Sequence, residues 1–232
     1  MVSLADGPEP GAFDAEQAQA YAAAVDIETE FSHDHVFLEL LRHHSRGAAL
    51  DLGGGTGRYA AWLLTMKLAT SAHVIDSSPA MIDACARRGF PSLTTQLADI
   101  ETTDLGREQY DIVLARFVLM HIRGLEDMLQ HIALSLKETG ALVVVTNVIA
   151  GTPPAVATYI DATAGIMQLM LQAKGHPIAV SNYVHTQEDY TQAFQRAGLR
   201  LAFCASYAPQ ILRFKHAPPG ITLAHLILLG RK

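Results

Sequence analysis

ALDLGGGTGRYA, residues 49–60, decides the reading of everything around it. An apolar run closes on Asp51, glycines stand at 53, 54, 55 and 57, and the strong helix formers of RYAAWLLTMKLA (58–69) begin at once. A strand that turns this sharply into a helix needs positive φ, and a missing Cβ lets backbone N–H groups approach a ligand at the helix N-terminus. The stretch predicts a buried strand, a tight turn and a site for a ligand with an anionic end. Read as the dinucleotide fingerprint GxGxxG, the register puts Arg58 third when counted from Gly53 and Gly55, and Ala60 third when counted from Gly55 and Gly57. The next acid in register, Asp76, lies 19 residues beyond Gly57, close to where a carboxylate that grips ribose hydroxyls is expected. A nucleoside is the expected ligand, and these residues alone leave a dinucleotide open.

Outward from this turn the chain alternates. AHVIDS (72–77), SLTTQLAD (92–99), YDIVLAR (110–116) and GALVVVTNV (140–148) read as strands. PAMIDACARRG (79–89), opened by Ser78 and Pro79, and LEDMLQHIALSLKE (125–138) read as helices. Such alternation implies a mostly parallel sheet covered on both faces. Two helical stretches, AEQAQAYAAAV (15–25) and HVFLELLRHH (35–44), precede the first strand, and the breakers in GPEPG (7–11) mark residues 1–11 as a flexible tail. After Ala150 the rhythm breaks: residues 151–183 read as an insertion, with Pro153, Pro154 and Pro177 around an apolar, Met-rich helix near YIDATAGIMQLMLQA (159–173). The pattern resumes with helix EDYTQAFQRAG (188–198), strand LRLAFCASY (199–207), a loop at HAPPG (216–220) and strand ITLAHLILLG (221–230). The expected organisation is one domain over 12–232, in which helices within 12–46 and the insertion at 151–183 form a helical lid over the sheet edge where ligands bind.

Composition narrows the partners. Half of the 232 residues are hydrophobic and 17% are charged, an ordinary globular balance. The net charge is −6 and no run of Lys and Arg resembles a phosphate-gripping tract, so nucleic acid is disfavoured and a small-molecule substrate is expected. Cys85 and Cys204 form no CxxC pair, which fits a reducing cytoplasm. The opening MVSLADGPEPGAFDAEQ carries acids where a signal peptide needs a basic then apolar stretch, so a cytoplasmic location without a membrane partner is expected. Among the 11 histidines, the close pairs His33 with His35 and His43 with His44 lack the i, i+4 zinc spacing, and no metal site is expected.

The order of these segments resembles the class I (Rossmann-like) S-adenosylmethionine-dependent methyltransferases, whose first motif has the form hhDxGxGxG and is matched by ALDLGGGTG. VIDSSPAMI resembles their second strand and turn, ADI their adenine-contacting acid, YDIVLARFVLMHI their fourth strand and following loop, and LKETGALVVV their fifth strand. The resemblance spans about residues 47–148, with EDYTQAFQRAGL similar to the usual last helix and sixth strand. It implies a three-layer α/β fold on a seven-stranded sheet whose last strand is antiparallel. It also implies S-adenosyl-L-methionine as cofactor.

The roles follow by resemblance. Gly53, Gly55 and Gly57 cradle the methionine end, Asp51 holds the turn and reaches the amino group through water, and Asp76 with Ser77 takes the ribose hydroxyls. Asp99 and the backbone of Ile100 read the adenine edge, with Met81 packed on its face. Arg116 and Phe117 contact cofactor at the fourth strand's end, and Tyr21 covers it from an N-terminal helix. Each has a plainer reading: a sharp turn for the glycines, a loop acid for Asp99, a core position for Met81, a solvated side chain for Arg116.

His121 matches a histidine that many members carry after the fourth strand, although Met120 departs from their usual His or Glu, which tells against a metal role. A near-neutral imidazole suits removal of a hydroxyl or amine proton as the methyl arrives. The expected chemistry is in-line displacement onto an oxygen, nitrogen or carbon of a small metabolite, with Asn147, Tyr159, Tyr183 and His185 on the substrate side. The alternatives are a tRNA or protein methyltransferase on the same core, an NAD(P)-dependent oxidoreductase, and a cofactor-binding module without catalysis. The sequence does not reveal the oligomeric state.

Overall fold

A computed structural model describes residues 34–150, 160–161, 166–173, 176–207 and 222–232. The tail at 1–11, the helical stretch at 15–25, Tyr21, Tyr159 and the HAPPG loop lie outside the described residues.

Helix α1 (Asp34–His44) leads into β1 (Ala48–Leu52), α2 (Arg58–Thr65), β2 (Ser71–Asp76), α3 (Pro79–Ala86), β3 (Leu93–Leu97) and β4 (Tyr110–Arg116). A 3₁₀ turn at Leu119–His121, helix α4 (Leu125–Ser135) and β5 (Leu136–Ala150) follow. After β6 (Ile160–Asp161), β7 (Ile166–Ala173) and β8 (His176–Tyr183), the chain ends with α5 (Gln187–Arg196), β9 (Arg200–Tyr207) and β10 (Thr222–Arg231).

The main sheet has seven strands in the order β3-β2-β1-β4-β5-β10-β9. The strands from β3 to β5 are parallel, and β10 runs antiparallel to both β5 and β9. The continuous apolar runs read from the sequence exist because both faces are covered. Leu50, Leu52, Val113, Ala115, Leu142 and Val144 join α4 and α5 residues such as Leu129, Ile132, Tyr190 and Phe194 in one core. Ala49, Ile112, Leu114, Val143 and Val145 join Phe37, Leu41, Ala60 and Leu63 of α1 and α2 in the other. Alternate strand residues serve opposite faces, as the period of two requires. Asp51 falls in an otherwise apolar strand and is buried.

The helix expected within 159–173 is corrected by the structure: β6, β7 and β8 form a three-stranded antiparallel sheet, so the described part of the insertion is not helical. Met, Leu and Gln favour helix intrinsically, but β pairing overrides so weak a preference. Ala173 pairs with His176 across a two-residue connection containing Gly175, a hairpin signal that the helical reading passed over. Pro177 sits on β8, an outer strand of that sheet, where proline is tolerated. β8 packs against the 3₁₀ turn at the end of β4, with Val180, Ser181 and Asn182 buried.

Tyr190 of α5 is wholly buried and its hydroxyl lies 2.7 Å from Thr146 Oγ1 of β5, joining the last helix to the sheet. Tyr190→Phe leaves the buried threonine oxygen without that partner. Urea unfolding should show a loss of about 1–3 kcal/mol; an unchanged midpoint would mean that Thr146 finds another partner.

Candidate active site

The strand order reverses direction between β1 and β4, and in open α/β sheets ligands bind beyond the C-terminal ends at such a point. Asp51 and the glycine turn leave β1 there, and Arg116 and Phe117 leave β4.

Glycine is required by space as well as by φ. Gly53 has φ +56°, and a Cβ on it would stand 2.4 Å from Val118 Cγ2; at Gly57, φ is +68° and a Cβ would meet Cys85 Sγ at 2.2 Å. The turn thus lies flat between the end of β4 and helix α3. Asp76 secures it: its Oδ2 accepts from the Gly55 N–H at 2.9 Å and its Oδ1 from the Ser78 N–H at 2.9 Å. From the end of α3, Arg88 Nε donates to the Thr56 carbonyl at 2.5 Å. No motif pointed to this arginine, because its partner is a backbone oxygen far away in sequence.

Asp51 is 2% exposed, its Oδ2 has no hydrogen-bond partner, and a Cβ on Gly54 would lie 2.6 Å from its Cγ. Burial, reinforced by the nearby Asp76 charge, pushes its carboxyl up to about 7 against the opposing pull of a backbone hydrogen bond and Arg116. Burial also raises Asp76, opposed by the hydrogen bonds from the Ser78 and Gly55 N–H groups. The unpaired Asp51 oxygen, beside the Asp76 carboxylate, offers an acceptor of the kind an ammonium group would complete.

The other described cofactor candidates lie on α3, at the end of β4 and in the segments after β2 and β3. Met81 is buried in α3, with its sulfur 3.7 Å from where a Gly55 Cβ would be. Ser77 is exposed beside Asp76. Exposed Asp99 accepts from the Glu101 N–H at 2.9 Å, while Ile100 is buried in the core. Leu97, paired with Asp76 across the sheet, is 54% exposed, an apolar surface that the sequence reading did not single out. Arg116 Cζ lies 4.9 Å from the Tyr59 ring centre and 4.7 Å from that of Phe117. Phe117 has φ +54°, a left-handed conformation costly for a residue with a Cβ and concentrated at functional sites.

Across the crevice, His121 Nδ1 lies 3.1 Å from the Ser181 carbonyl oxygen. A carbonyl only accepts, so Nδ1 carries the hydrogen and Nε2 keeps its lone pair. Burial lowers the pKa of His121, partly offset by that bond, so the ring is neutral near pH 7. Asn147 Nδ2 reaches Met120 Sδ at 3.3 Å while its Oδ1 is buried and unpaired. His185 Nε2 donates to the Ile122 carbonyl at 2.8 Å, and its ring stands 5.7 Å from Tyr190 and 6.4 Å from Tyr183. His185 thereby fastens the end of β8 beside the turn that carries His121. Asn182 was not singled out from sequence: it is 1% exposed, and neither side-chain polar atom has a partner. Each unpaired buried amide atom costs on the order of 1–3 kcal/mol.

A groove of about 430 Å³ between His73, Gln96, Asp104 and Tyr110 contains none of these residues.

Residues 50–142 match a family model described as a methyltransferase domain. No curated protein matches the chain by sequence. An S-adenosylmethionine-dependent methyltransferase from Mesorhizobium loti superposes with a TM-score of 0.64 at 16% identity, covering 86% of this chain and 97% of that one. The phosphoethanolamine N-methyltransferase 2 of Haemonchus contortus, bound to phosphomonomethylethanolamine and S-adenosylhomocysteine, gives 0.66 at 13% identity over 85% of this chain and 52% of that one. The cyclase SpnF gives 0.65 at 14% identity over 97% and 99%. At these identities the likeness is one of fold.

The buried Asp51 predicts an unusual pH response. Its folded-state pKa, about 7, stands above the ordinary aspartate value of 3.8, so its contribution to stability is complete below the lower value and lost as pH rises towards the upper one. Ligand-free wild type should lose stability between about pH 4 and 7, with a slope from this group of at most about 1.4 kcal/mol per pH unit. Asp51→Asn should remove that slope in urea unfolding at pH 5 and 7.5. Parallel curves for the two proteins would refute the assignment.

Proposed function

We propose that this chain is a class I S-adenosylmethionine-dependent methyltransferase that moves the cofactor's methyl group onto an oxygen, nitrogen or carbon nucleophile of a small-molecule metabolite by in-line displacement. The observation that carries this reading is the unpaired, buried Asp51 oxygen beside a glycine turn at positive φ at the reversal of strand order.

These residues fit the cofactor. Asp51 offers an acceptor to its ammonium, directly or through water, and the turn at Gly53, Gly55 and Gly57 receives the methionine end. Asp76 retains acceptor capacity after its two backbone bonds, since a carboxylate has about four lone-pair sites, so it can take ribose hydroxyls beside Ser77. Asp99, Ile100 and Met81 frame the base, and Arg116 and Phe117 close the β4 side. Tyr21, outside the described residues, is assigned to the same cover. The bound sulfonium supplies an electrophilic methyl. The chain contributes position, which can lower a barrier by about 7–11 kcal/mol.

His121 is the proposed base. With Nδ1 bonded to Ser181, Nε2 is available to accept a proton from a hydroxyl or amine as its lone pair forms the new bond. This poised imidazole favours transfer chemistry over a module that only holds cofactor. The substrate side is assigned to Asn147, Tyr159, Tyr183 and His185, with residues 151–183 and the N-terminal helices as the cover. A small molecule is preferred over a macromolecule because the chain is acidic and lacks a basic tract.

Two substitutions separate the roles. Asp76→Ala should raise the Kd for S-adenosylhomocysteine by about tenfold or more in calorimetry, given about 1.5–3 kcal/mol per bond to a charged group before water compensates. His121→Ala should leave that Kd within about twofold while lowering methyl transfer from labelled cofactor to an accepted metabolite by about 100-fold or more. Normal transfer by the alanine variant would remove His121 from the chemistry. Stabilisation by NAD or NADP alone would overturn the family's cofactor for this chain.

A further inference from the structure

The acceptor side contains a second recognition element that sequence patterns do not mark. Asn182 on β8 is 1% exposed, and neither its Nδ2 nor its Oδ1 has a partner. Asn147 on β5 has a buried, unpaired Oδ1. Both strands pack against the 3₁₀ turn at Leu119–His121. Ser181, the residue before Asn182, holds His121, while Asn147 holds Met120, the residue before His121. The two unpaired amides therefore belong to the residues that hold, or directly follow the one that holds, His121 and its neighbour Met120.

Buried side-chain amides almost always find partners, and exceptions call for an explanation. A carboxamide presents both donors and acceptors, so a ligand that completes two of them must itself carry both. It should also be neutral, because amide dipoles alone do not repay the desolvation of an ion.

We propose that Asn182 and Asn147 together bind a neutral donor–acceptor unit of the methyl acceptor, a carboxamide or a hydroxy-carbonyl group, next to the atom facing His121. This rests on the methyltransferase reading above and specifies the substrate class. Asn182 is a specificity residue, and its unpaired state in the free protein is the cost of that selectivity.

The test uses the full chain saturated with S-adenosylhomocysteine and takes salicylamide as probe, with salicylate as its charged counterpart, in ligand-observed NMR titrations. Wild type should bind salicylamide at least tenfold more tightly than salicylate. Asn182→Leu, close in shape and apolar, should weaken salicylamide at least tenfold, keep the S-adenosylhomocysteine Kd within twofold, and melt no lower than wild type, because it replaces an unsatisfied amide. Asn182→Asp, which keeps the shape but loses the N–H donors, supplies the same binding readout should the leucine variant not fold. The inference is overturned if wild type ignores salicylamide, if it prefers salicylate, or if the variants bind salicylamide as wild type does. Failure of wild type to bind S-adenosylhomocysteine would overturn the proposed function and this inference with it. Cofactor binding with a probe response indifferent to Asn182 would overturn this inference alone.

Discussion

The carboxylate of Asp76 holds two backbone segments at once, and the shape of the crevice depends on it. One oxygen takes the Gly55 N–H from the turn after β1, and the other takes the Ser78 N–H that opens α3. Parallel pairing of β1 with β2 brings these segments within reach of one side chain. Bonds to a charged acceptor are roughly twice as strong as neutral ones, so a carboxylate can fix a glycine-rich turn that would otherwise sample many conformations. Arg88 grips Thr56 from the far end of α3, so the turn is held before any ligand arrives. Preorganisation of this kind lowers the entropy lost on binding.

Fixing the turn this way leaves an electrostatic imbalance. Asp51 lies beneath the turn with desolvation and the Asp76 charge both opposing its ionisation. Phe117, across the crevice, holds a left-handed backbone that a non-glycine residue adopts only under constraint. A buried carboxyl with an unpartnered oxygen and a strained backbone thus gather where β1 and β4 part, in front of two apolar cores. Local rules broken at one place and obeyed elsewhere mark a site that a ligand completes. A cationic group at Asp51 would offset the desolvation that opposes its ionisation.

The sheet was legible because its strands are covered on both faces and so appear as unbroken apolar runs, such as Leu142–Val145, separated by capped helices. Asp51, the glycines and Asp76 were legible because they act near where they lie in sequence, at the ends of neighbouring strands. Arg88, Asn182 and Leu97 were not, since their significance comes from partners, or the lack of partners, that only folding creates. IMQLMLQA misled for a different reason. Its apolar residues satisfy helical spacing, and its strand state depends on pairing with β6 and β8 that no local preference records. Gly175, between β7 and β8, was the one local sign of a hairpin.

The two halves of the crevice differ in how they are specified. The half between β1 and β4 is built from strand ends that the whole sheet supports, whereas the half around His121 depends on β8. Ser181 sets the imidazole tautomer through its carbonyl, and the next residue, Asn182, is the buried amide. A shift of β8 by one residue would exchange the faces on which its side chains lie and remove Asn182 from its place. The proposed base and the proposed recognising amide are therefore tied to one register. A cyclase shares this fold at a TM-score of 0.65, so the sheet alone does not dictate the reaction. Since β8 of the short antiparallel sheet inserted after β5 packs against the turn that carries His121, altering that insertion would change the surroundings of His121 and leave the glycine turn and its carboxylates in place.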